Sequence, residues 1–450
     1  MKQPNIVFFF TDQQRWDTCG CYGQPLPITP NLDRMSSDGV KFEHAFTCQP
    51  VCGPARACLQ SGRYATEVNV PTNHRVLPLD GKYIAHYLAE AGYEVGYLGK
   101  WHLASGPEEG GEANYRTRPV PPERRAGYKD FWLASDVLEF TSHSYDGHMF
   151  DADGNRRDFP PGRYRVDAQT DWMLEHLRSR SGEKPFFLFV SYIEPHHQND
   201  HGHYEGPIGS KQRFADFAAP GDLAGTAGDW RQEYPDYLGC INSLDENLGR
   251  LRTELHNLGI ADNTLIIYTS DHGSHFRTRN SEYKRSCHDG CARIPMVAYG
   301  PGFTGGKTVN ELVSLIDIPP TILAAAGASV PDSFRGRPLQ QLADGAADDW
   351  PDDVFLQISE DHCGRAIRTK RWKYSVRAPD KTGADSSSDV YVEDFLYDLD
   401  ADPHERNNLV ADPAFAKIRD EMAARLKQRM ASAGEDEPII QSAEQHPAGA

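Results

Sequence analysis

Apolar runs and helically spaced apolar residues alternate through most of the chain. Apolar runs that end at polar residues are typical of buried strands, and they occupy residues 5–11, 186–192 and 263–270. Apolar residues that recur every three to four positions predict amphipathic helices, which lie near residues 82–91, 166–180 and 235–258. Strands and helices that alternate in this way are typical of the α/β class.

The last part of the chain has a different pattern. Residues 338–353 are rich in Gln, Ala and Asp and mark a domain boundary. We therefore divide the chain into an N-terminal domain of residues 1–345 and a smaller C-terminal α+β subdomain of residues 346–432. The polar tail, residues 433–450, is predicted to be disordered.

Two further segments complete the predicted elements. Alternation over residues 366–374 predicts one half-buried strand, with residues 395–399 as its antiparallel partner, before a final helix near 413–431. Residues 104–165 are rich in Gly, Pro, Arg and Asp. That composition predicts a long loop region with little regular structure, forming a rim over the site.

Composition and charge narrow the possible partners and the compartment. The 450 residues carry a net charge of −18, which argues against nucleic acid as a partner because a phosphate backbone favours a basic surface. No apolar segment near Met1 is long enough for a signal peptide or a membrane span, so we expect a cytoplasmic protein with no membrane partner. An odd count of nine cysteines agrees with a reducing compartment.

Polar residues follow two of the buried runs directly. Asp12 and Gln13 follow the first run, and Asp271 and His272 follow the run that ends at Ser270. Ligands of α/β sheets bind at the carboxyl ends of the strands. Carboxylate and amide oxygens suit calcium or magnesium, so these residues are candidate metal ligands.

A cysteine motif lies at a predicted helix start. Pro54 suits the first turn of a helix, which places Cys52 at the N-terminus, where backbone N–H groups favour an anion. Arg56 adds a permanent positive charge in the same turn. We therefore expect a site that holds a tetrahedral oxyanion against residue 52.

A fixed cation and a proton carrier follow another predicted strand end. Lys100 and His102 are two residues apart, so in extended chain their side chains point to one side. A further histidine, His196, lies beyond the strand that ends near residue 192, in a histidine-rich run over residues 196–205.

These motifs carry a family resemblance. The pattern Cys-x-Pro-x-Arg-x-x-Leu-x-Ser-Gly, from Cys52 to Gly62, resembles the signature of the type I sulfatases in the alkaline phosphatase superfamily. Ala55 and Ser61 depart from the usual serine and threonine. The resemblance implies a mixed, largely parallel central sheet flanked by helices, and hydrolysis of sulfate monoesters. It also implies oxidation of Cys52 to formylglycine by a formylglycine-generating enzyme.

The resemblance also implies a role for each candidate residue. One divalent metal, Ca²⁺ by resemblance with Mg²⁺ or Mn²⁺ as alternatives, would be held by Asp12, Gln13, residue 52, Asp271 and His272. Three residues would stabilise charge, and these are Arg56, Lys100 and Lys284. His196 would be the leaving-group acid and His102 the base. Four residues would bind the substrate, and these are Lys100, His196, Lys284 and His288.

Several functions share these motifs. Gln13 and His272 match a minority pattern of choline sulfatases and of phosphonate monoester and phosphodiester hydrolases, whereas the Lys100/His102 pair opposes the phosphonate reading. An unmodified relative that only binds an anion is the non-enzymatic alternative. The run at 196–205 favours a sulfated carbohydrate, either a small molecule or an oligosaccharide, because hydroxyl groups need polar partners; a second metal site in that run is a further possibility.

Overall fold

The structure is a computed structural model that describes residues 2–108, 111–346 and 348–443. A 12-stranded mixed sheet and a five-stranded sheet organise the described residues, beside a two-stranded ribbon. The strands are β1 (Asn5–Thr11), β2 (Val40–Phe46), β3 (Glu94–Lys100), β4 (Gly106–Glu108), β5 (Gly111–Ala113), β6 (Phe131–Ser135), β7 (Ser142–His143), β8 (Asp146–Asp151), β9 (Arg156–Asp158), β10 (Phe186–Ser191), β11 (Thr264–Ser270), β12 (Arg293–Ile294), β13 (Met296–Tyr299), β14 (Lys307–Ser314), β15 (Asp353–Ile358), β16 (Gly364–Thr369), β17 (Trp372–Arg377), β18 (Val390–Asp398) and β19 (Ile439–Gln441).

Helices cover the large sheet and close the C-terminal part. They are α1 (Pro30–Asp38), α2 (Cys52–Ser61), α3 (Ile84–Glu90), α4 (Arg165–Ser179), α5 (Ser210–Arg213), α6 (Trp230–Asn257), α7 (Asp289–Ala292), α8 (Ile318–Ala325), α9 (Gln340–Ala343) and α10 (Ala416–Ser432). The predicted α/β class, with a largely parallel centre and a smaller C-terminal sheet, is confirmed.

Five adjacent parallel strands form the centre of the large sheet. They lie in the order β11-β1-β10-β3-β6, and β1 pairs in parallel with both β10 and β11. Parallel strands bring their carboxyl ends to one edge. The residues that follow β1, β10, β3 and β11 therefore meet at a single edge of the sheet.

Strand β1 shows why the sheet is buried on both faces. Ile6, Phe8 and Phe10 pack into one hydrophobic cluster, which also receives residues of α2, α3 and α8. Val7 and Phe9 pack into a second cluster with residues of α1, α4 and α6. Successive side chains of a strand point to opposite faces, so a continuous apolar run is what a strand between two helical layers requires.

The segment 104–165 corrects one prediction. Residues 131–135 form β6, which pairs in parallel with β3, and β8 and β9 extend the sheet beyond it. Phe131, Trp132, Leu133 and Ala134 form a short apolar run inside a Gly- and Pro-rich region. The composition of the whole region is dominated by Gly, Pro and polar residues, so it did not indicate this short apolar run as a strand.

The C-terminal sheet corrects a second prediction. Residues 366–374 are not one strand, because β16 and β17 pair antiparallel across a tight turn at Lys370 and Arg371. The predicted partner is confirmed, since β18 pairs with β17 and sets Tyr374 opposite Leu396. The division near residue 345 stays a prediction.

Part of the tail that we predicted to be disordered is ordered. Ile439–Gln441 form β19, which pairs in parallel with β18. Glu435 is bound by Arg365 at 2.8 Å, and the two side chains are 6% and 1% exposed. This buried ion pair therefore anchors the start of the polar tail to the C-terminal sheet. Residues 444–450 lie outside the described residues.

We expect Glu435→Ala to lower the free energy of unfolding by about 3–5 kcal/mol, because it leaves the Arg365 guanidinium buried without its charge partner. Denaturant unfolding measures the change. Glu437→Ala is the matched control: its carboxylate is 73% exposed, so its loss should change stability by less than about 0.5 kcal/mol. Equal effects in both variants would show that Glu435 does not anchor the tail.

Candidate active site

The polar residues at the strand edge gather around Cys52. The Cys52 Sγ lies 2.9 Å from Lys284 Nζ, 3.3 Å from His272 Nε2 and 3.4 Å from Asp12 Oδ1. The cysteine is 1% exposed and is the first residue of α2, as predicted. Burial raises the pKa of its thiol, but the combined charges of Lys284, Lys100 and His272 outweigh burial and hold the pKa well below its usual range. The site is built to stabilise an anion at residue 52.

Arg56 lies behind the carboxylates rather than beside the cysteine. Its guanidinium donates to Asp12 at 2.9 Å, to the Lys100 carbonyl at 2.9 Å and to Ser191 at 2.6 Å. We predicted that Arg56 stabilises charge at the site, and that role stays a prediction. In the structure its Nη groups also hold Asp12 in place, whereas its buried Nε bonds to none of the described residues.

Lys100 is held between two carboxylates. Its Nζ is 2.9 Å from Asp12 Oδ2 and 3.3 Å from Glu139 Oε2, and its side chain is fully buried. Burial alone would raise the pKa of Glu139, but Lys100, together with His196 and His102, outweighs burial and lowers that pKa to about 2. The ion pair therefore persists in the charged form at neutral pH.

The residues around Asp12 and Asp271 fit a divalent cation. Asp12, Cys52, Asp271 and His272 each offer one ligand atom, and these atoms lie within 4.8 Å of one another. Burial, and then the charge of Asp12, raises the pKa of Asp271 to about 6. A cation between two buried carboxylates would remove this repulsion.

The neighbours of these ligands orient them toward one point. Gln13 donates its backbone N–H to Asp271 at 2.9 Å and its side-chain amide to the Tyr204 hydroxyl at 2.6 Å, which leaves its amide oxygen for a cation. His272 Nδ1 bonds to the Gly273 carbonyl, so its Nε2 is the free ligand atom. Oxygen donors from two carboxylates and one amide suit calcium or magnesium.

His196 and Lys284 lie together on the side of Cys52. Their Nε2 and Nζ atoms are 3.0 Å apart, and His196 Nδ1 bonds to the His197 carbonyl at 2.7 Å. Burial, followed by Lys284 and Lys100, lowers the pKa of His196. An anionic group bound between these residues would reverse that effect, because opposite charge favours the protonated imidazole.

His102 faces the cysteine with unused hydrogen-bonding capacity. Its side chain contributes to the lowered pKa of the Cys52 thiol, after Lys284, Lys100 and His272. Both ring nitrogens are buried and bond to no described residue. The backbone at His102 has a φ of 60°, a conformation that is costly for a side chain other than glycine and is often found at functional sites. An imidazole with no described hydrogen-bond partner therefore lies beside the nucleophile position.

His288 does not join this group. It is 3% exposed, and its nitrogens lie 3.1 Å from Ser286 Oγ and 3.0 Å from the Tyr397 hydroxyl. Its ring also packs against Phe395. We predicted a substrate contact here, and that role stays a prediction. Both nitrogens have protein partners in the structure: Nδ1 faces Ser286 in the same loop, and Nε2 joins the loop to Tyr397 of the C-terminal sheet.

Sequence reasoning missed Glu139 as a site residue. It lies in the segment 104–165, in a short 3-10 helix at Leu138–Phe140, and reaches Lys100 across 39 residues of chain. No local motif marks it, because its role depends on a contact between distant parts of the chain.

We expect Glu139→Gln to lower kcat/KM for a sulfate ester by up to about 100-fold, because Lys100 loses one of the two charges that fix it. Steady-state kinetics measure this, with Glu112→Gln, whose carboxylate is 59% exposed, as an unchanged control. Lys100→Ala should cost less in the Glu139→Gln background than in the native protein, since coupled residues are non-additive. Additive losses would contradict a positioning role.

Comparisons with known proteins identify the class that this fold and site define. The Sulfatase family model matches residues 4–328, and the model for the N-sulphoglucosamine sulphohydrolase C-terminal region matches residues 282–432. The chain belongs to the sulfatase family. It is an enzyme of that family, a hydrolase of sulfuric esters, which confirms the predicted reaction class.

Relatives cover nearly the whole chain. An ulvan-active sulfatase of Formosa agariphila is 28% identical over 96% of this chain and 82% of its own length. An N-acetylglucosamine-6-O-sulfatase of Bacteroides thetaiotaomicron is 25% identical over 97% and 88%. A solved structure from Bacteroides thetaiotaomicron, described with the metabolism of multiple glycosaminoglycans, superposes with a TM-score of 0.82 at 23% identity, covering 96% and 97% of the two chains.

Among the described residues, none of the helices has both the length and the apolar character needed to cross a bilayer.

Proposed function

We propose that this sulfatase removes sulfate from a carbohydrate sulfate monoester, of small or oligosaccharide size, through a formylglycine at position 52. The observation that carries the proposal is the ring of Lys100, Lys284, His102 and His196 around the Cys52 side chain. Two named relatives act on sulfated sugars or their polymers. The catalytic and metal-binding roles below are part of this proposal.

Maturation is the first requirement. Conversion of the Cys52 side chain from –CH₂SH to the aldehyde –CHO is an oxidation, so a formylglycine-generating enzyme must supply the oxidising chemistry. Hydration of the aldehyde gives a geminal diol with two hydroxyl groups at the place of the thiol. The lowered thiol pKa shows that this place favours negative charge, which suits a deprotonated hydroxyl as nucleophile.

Charge neutralisation is the second requirement, because a sulfate ester repels an anionic nucleophile. Lys284 Nζ, at 2.9 Å from the Cys52 Sγ, is placed to contact the sulfate as well. Lys100 adds positive charge on the Asp12 side. Preorganised cations of this kind stabilise the transition state without moving during the reaction.

The proposed cation site is formed by Asp12, Gln13, Asp271 and His272, with residue 52 as a further ligand. A bound divalent cation supplies Lewis-acid polarisation and a template for the sulfate. Calcium is the proposed ion, because carboxylate and amide oxygens predominate. Arg56 keeps Asp12 in place whether or not substrate is bound.

Proton transfer completes the cycle. His196 protonates the departing alcohol, and its contact with Lys284 supports this role, because Lys284 is the proposed sulfate contact. The second hydroxyl of the diol then gives its proton to His102, the sulfate leaves, and the aldehyde is restored. The unpaired nitrogens of His102 support this base role.

The metal residues favour one competing activity. Gln13 and His272 replace the more usual metal ligands and match phosphonate monoester and phosphodiester hydrolases, as well as choline sulfatases. The same nucleophile and cation would serve those substrates, so the assay must compare them directly.

The test is an initial-rate assay of protein coexpressed with a formylglycine-generating enzyme. Aryl sulfate, aryl phosphonate, phosphodiester, choline sulfate and sulfated monosaccharides are compared at one enzyme concentration. We expect sulfate esters of sugars and aryl groups to dominate, and Cys52→Ala to abolish the activity. Dominant phosphonate or diester hydrolysis would overturn the proposed reaction. Dominant choline sulfate hydrolysis would overturn the proposal that the substrate is a carbohydrate.

A further inference from the structure

A second group of metal-ligand side chains lies at the rim, outside the catalytic residues. His143, Asp200 and His201, which we call the rim cluster, offer ligand atoms within 4.8 Å of one another. His143 ends the short strand β7, whereas Asp200 and His201 follow β10 in the histidine-rich run. Their side chains are 34%, 51% and 40% exposed, so an ion could reach them from solvent.

Carboxylates orient both imidazoles of the rim cluster. His143 Nδ1 lies 3.1 Å from Asp146 Oδ1, and His201 Nδ1 bonds to Glu205 Oε1. Glu205 is itself fixed by the Ser144 hydroxyl at 2.6 Å. Metal-binding histidines characteristically donate their second ring N–H to a carboxylate, which fixes the tautomer and leaves the other nitrogen for the metal. Each histidine of the rim cluster has this partner.

Asp200 lies against His143, whose ring stacks on the ring of His201. His143 Nε2 is 2.9 Å from Asp200 Oδ2, and the rings of His143 and His201 stack with centroids 4.2 Å apart. Ligand atoms around a tetrahedral zinc ion are about 3.4 Å apart, given Zn–N distances near 2.0–2.1 Å. The 2.9 Å between His143 Nε2 and Asp200 Oδ2 is shorter than that spacing, so a bound ion would require these two atoms to move apart.

We propose that the rim cluster binds a divalent transition metal ion of the zinc type through His143 Nε2, His201 Nε2 and the Asp200 carboxylate. The fourth position is open to water or to a substrate group. Imidazole nitrogens select zinc, copper, nickel or cobalt over calcium and magnesium. This site therefore differs in metal preference from the oxygen-rich group at Asp12 and Asp271.

The ion would join two segments that both reach the catalytic residues. One segment carries Glu139, the partner of Lys100, and the other carries His196. Gln198 already connects them, since its amide donates to the Glu139 carbonyl at 3.2 Å and to Asp200 at 2.8 Å. Metal binding at the rim cluster should therefore stabilise the entrance of the site.

The test uses zinc alone as the probe, on full-length protein carrying Cys52→Ala and saturated with Ca²⁺. That background removes the thiol of the catalytic residues as a competing zinc ligand. Isothermal titration with ZnCl₂ should show one saturable site, and zinc should raise Tm. Adding His143→Ala or His201→Ala should weaken this site by more than about 100-fold, since even outer partners of a metal site are worth 10–100-fold.

Two controls make the result decisive. His256→Ala changes an exposed histidine of α6 and should leave zinc affinity unaltered. His203→Ala should also retain zinc binding. If His203→Ala loses zinc binding while His143→Ala keeps it, the ligand assignment is wrong. Unchanged affinity in both His143→Ala and His201→Ala, or the absence of saturable binding, would overturn the proposal. Far-UV circular dichroism without zinc verifies that each variant is folded, and none of these outcomes depends on sulfatase activity.

Discussion

Cys52→Ser should release one equivalent of leaving group per enzyme and then stop, with steady-state turnover reduced by at least about 1,000-fold. A serine hydroxyl at the start of α2 would meet the same cations, Lys284 and Lys100, that lower the pKa of the Cys52 thiol. It can therefore attack sulfur. It has no second hydroxyl on the same carbon, so His102 has no proton to remove and the sulfate ester on the serine persists.

The measurement is a burst assay with an aryl sulfate, followed by intact mass spectrometry for one added SO₃ group. Peptide mass spectrometry must first show an unmodified serine at position 52. Cys21→Ser, at a cysteine outside the site, is the control and should turn over normally. Sustained turnover by Cys52→Ser would exclude the elimination step and, with it, the need for an aldehyde.

The positions of the site residues were largely predictable, because residues that follow parallel strands meet at one edge of the sheet. Asp12 and Asp271 follow apolar runs, and the parallel pairing of β1 with β11 brings the two strand ends side by side. Pro54 likewise marks the start of α2, which places Cys52 at a helix N-terminus. Such predictions require only that the strand ends, or the helix starts, where the sequence pattern indicates. They do not require knowledge of contacts between distant residues.

Residue roles were less predictable, because they depend on which contacts a side chain makes after folding. The sequence indicates the positive charge of Arg56, but it does not indicate that the guanidinium donates hydrogen bonds to Asp12 and Ser191. His288 lies close in sequence to Lys284, yet Tyr397 of the C-terminal sheet captures one of its nitrogens. Glu139 carries no motif at all. The partners of Arg56 and His288 lie more than 40 residues away in the chain, and Tyr397 belongs to the other sheet. Glu139 lies in a region without a local sequence pattern.

His196→Ala should affect substrates in proportion to the difficulty of expelling their alcohol. A sugar alcohol is a poor leaving group and needs a proton in the transition state, whereas an activated aryl oxide leaves without one. General acid catalysis is typically worth 10²–10⁴-fold. We therefore expect kcat/KM for a sugar or alkyl sulfate to fall by about 100-fold or more, and the value for an activated aryl sulfate to fall much less.

His102→Ala is the matched comparison, because it removes an imidazole from the same site with a different proposed task. Loss of the base should slow breakdown of the sulfated enzyme, a step that all substrates share, so an aryl sulfate should give a fast burst and slow turnover. His196→Ala should give no such burst with the sugar sulfate, because its first step is the slow one. Lys284 contacts His196 at 3.0 Å and is another proton donor at the site. If His196→Ala lowers both substrate classes equally, while Lys284→Ala shows the dependence on leaving group, the acid is the lysine.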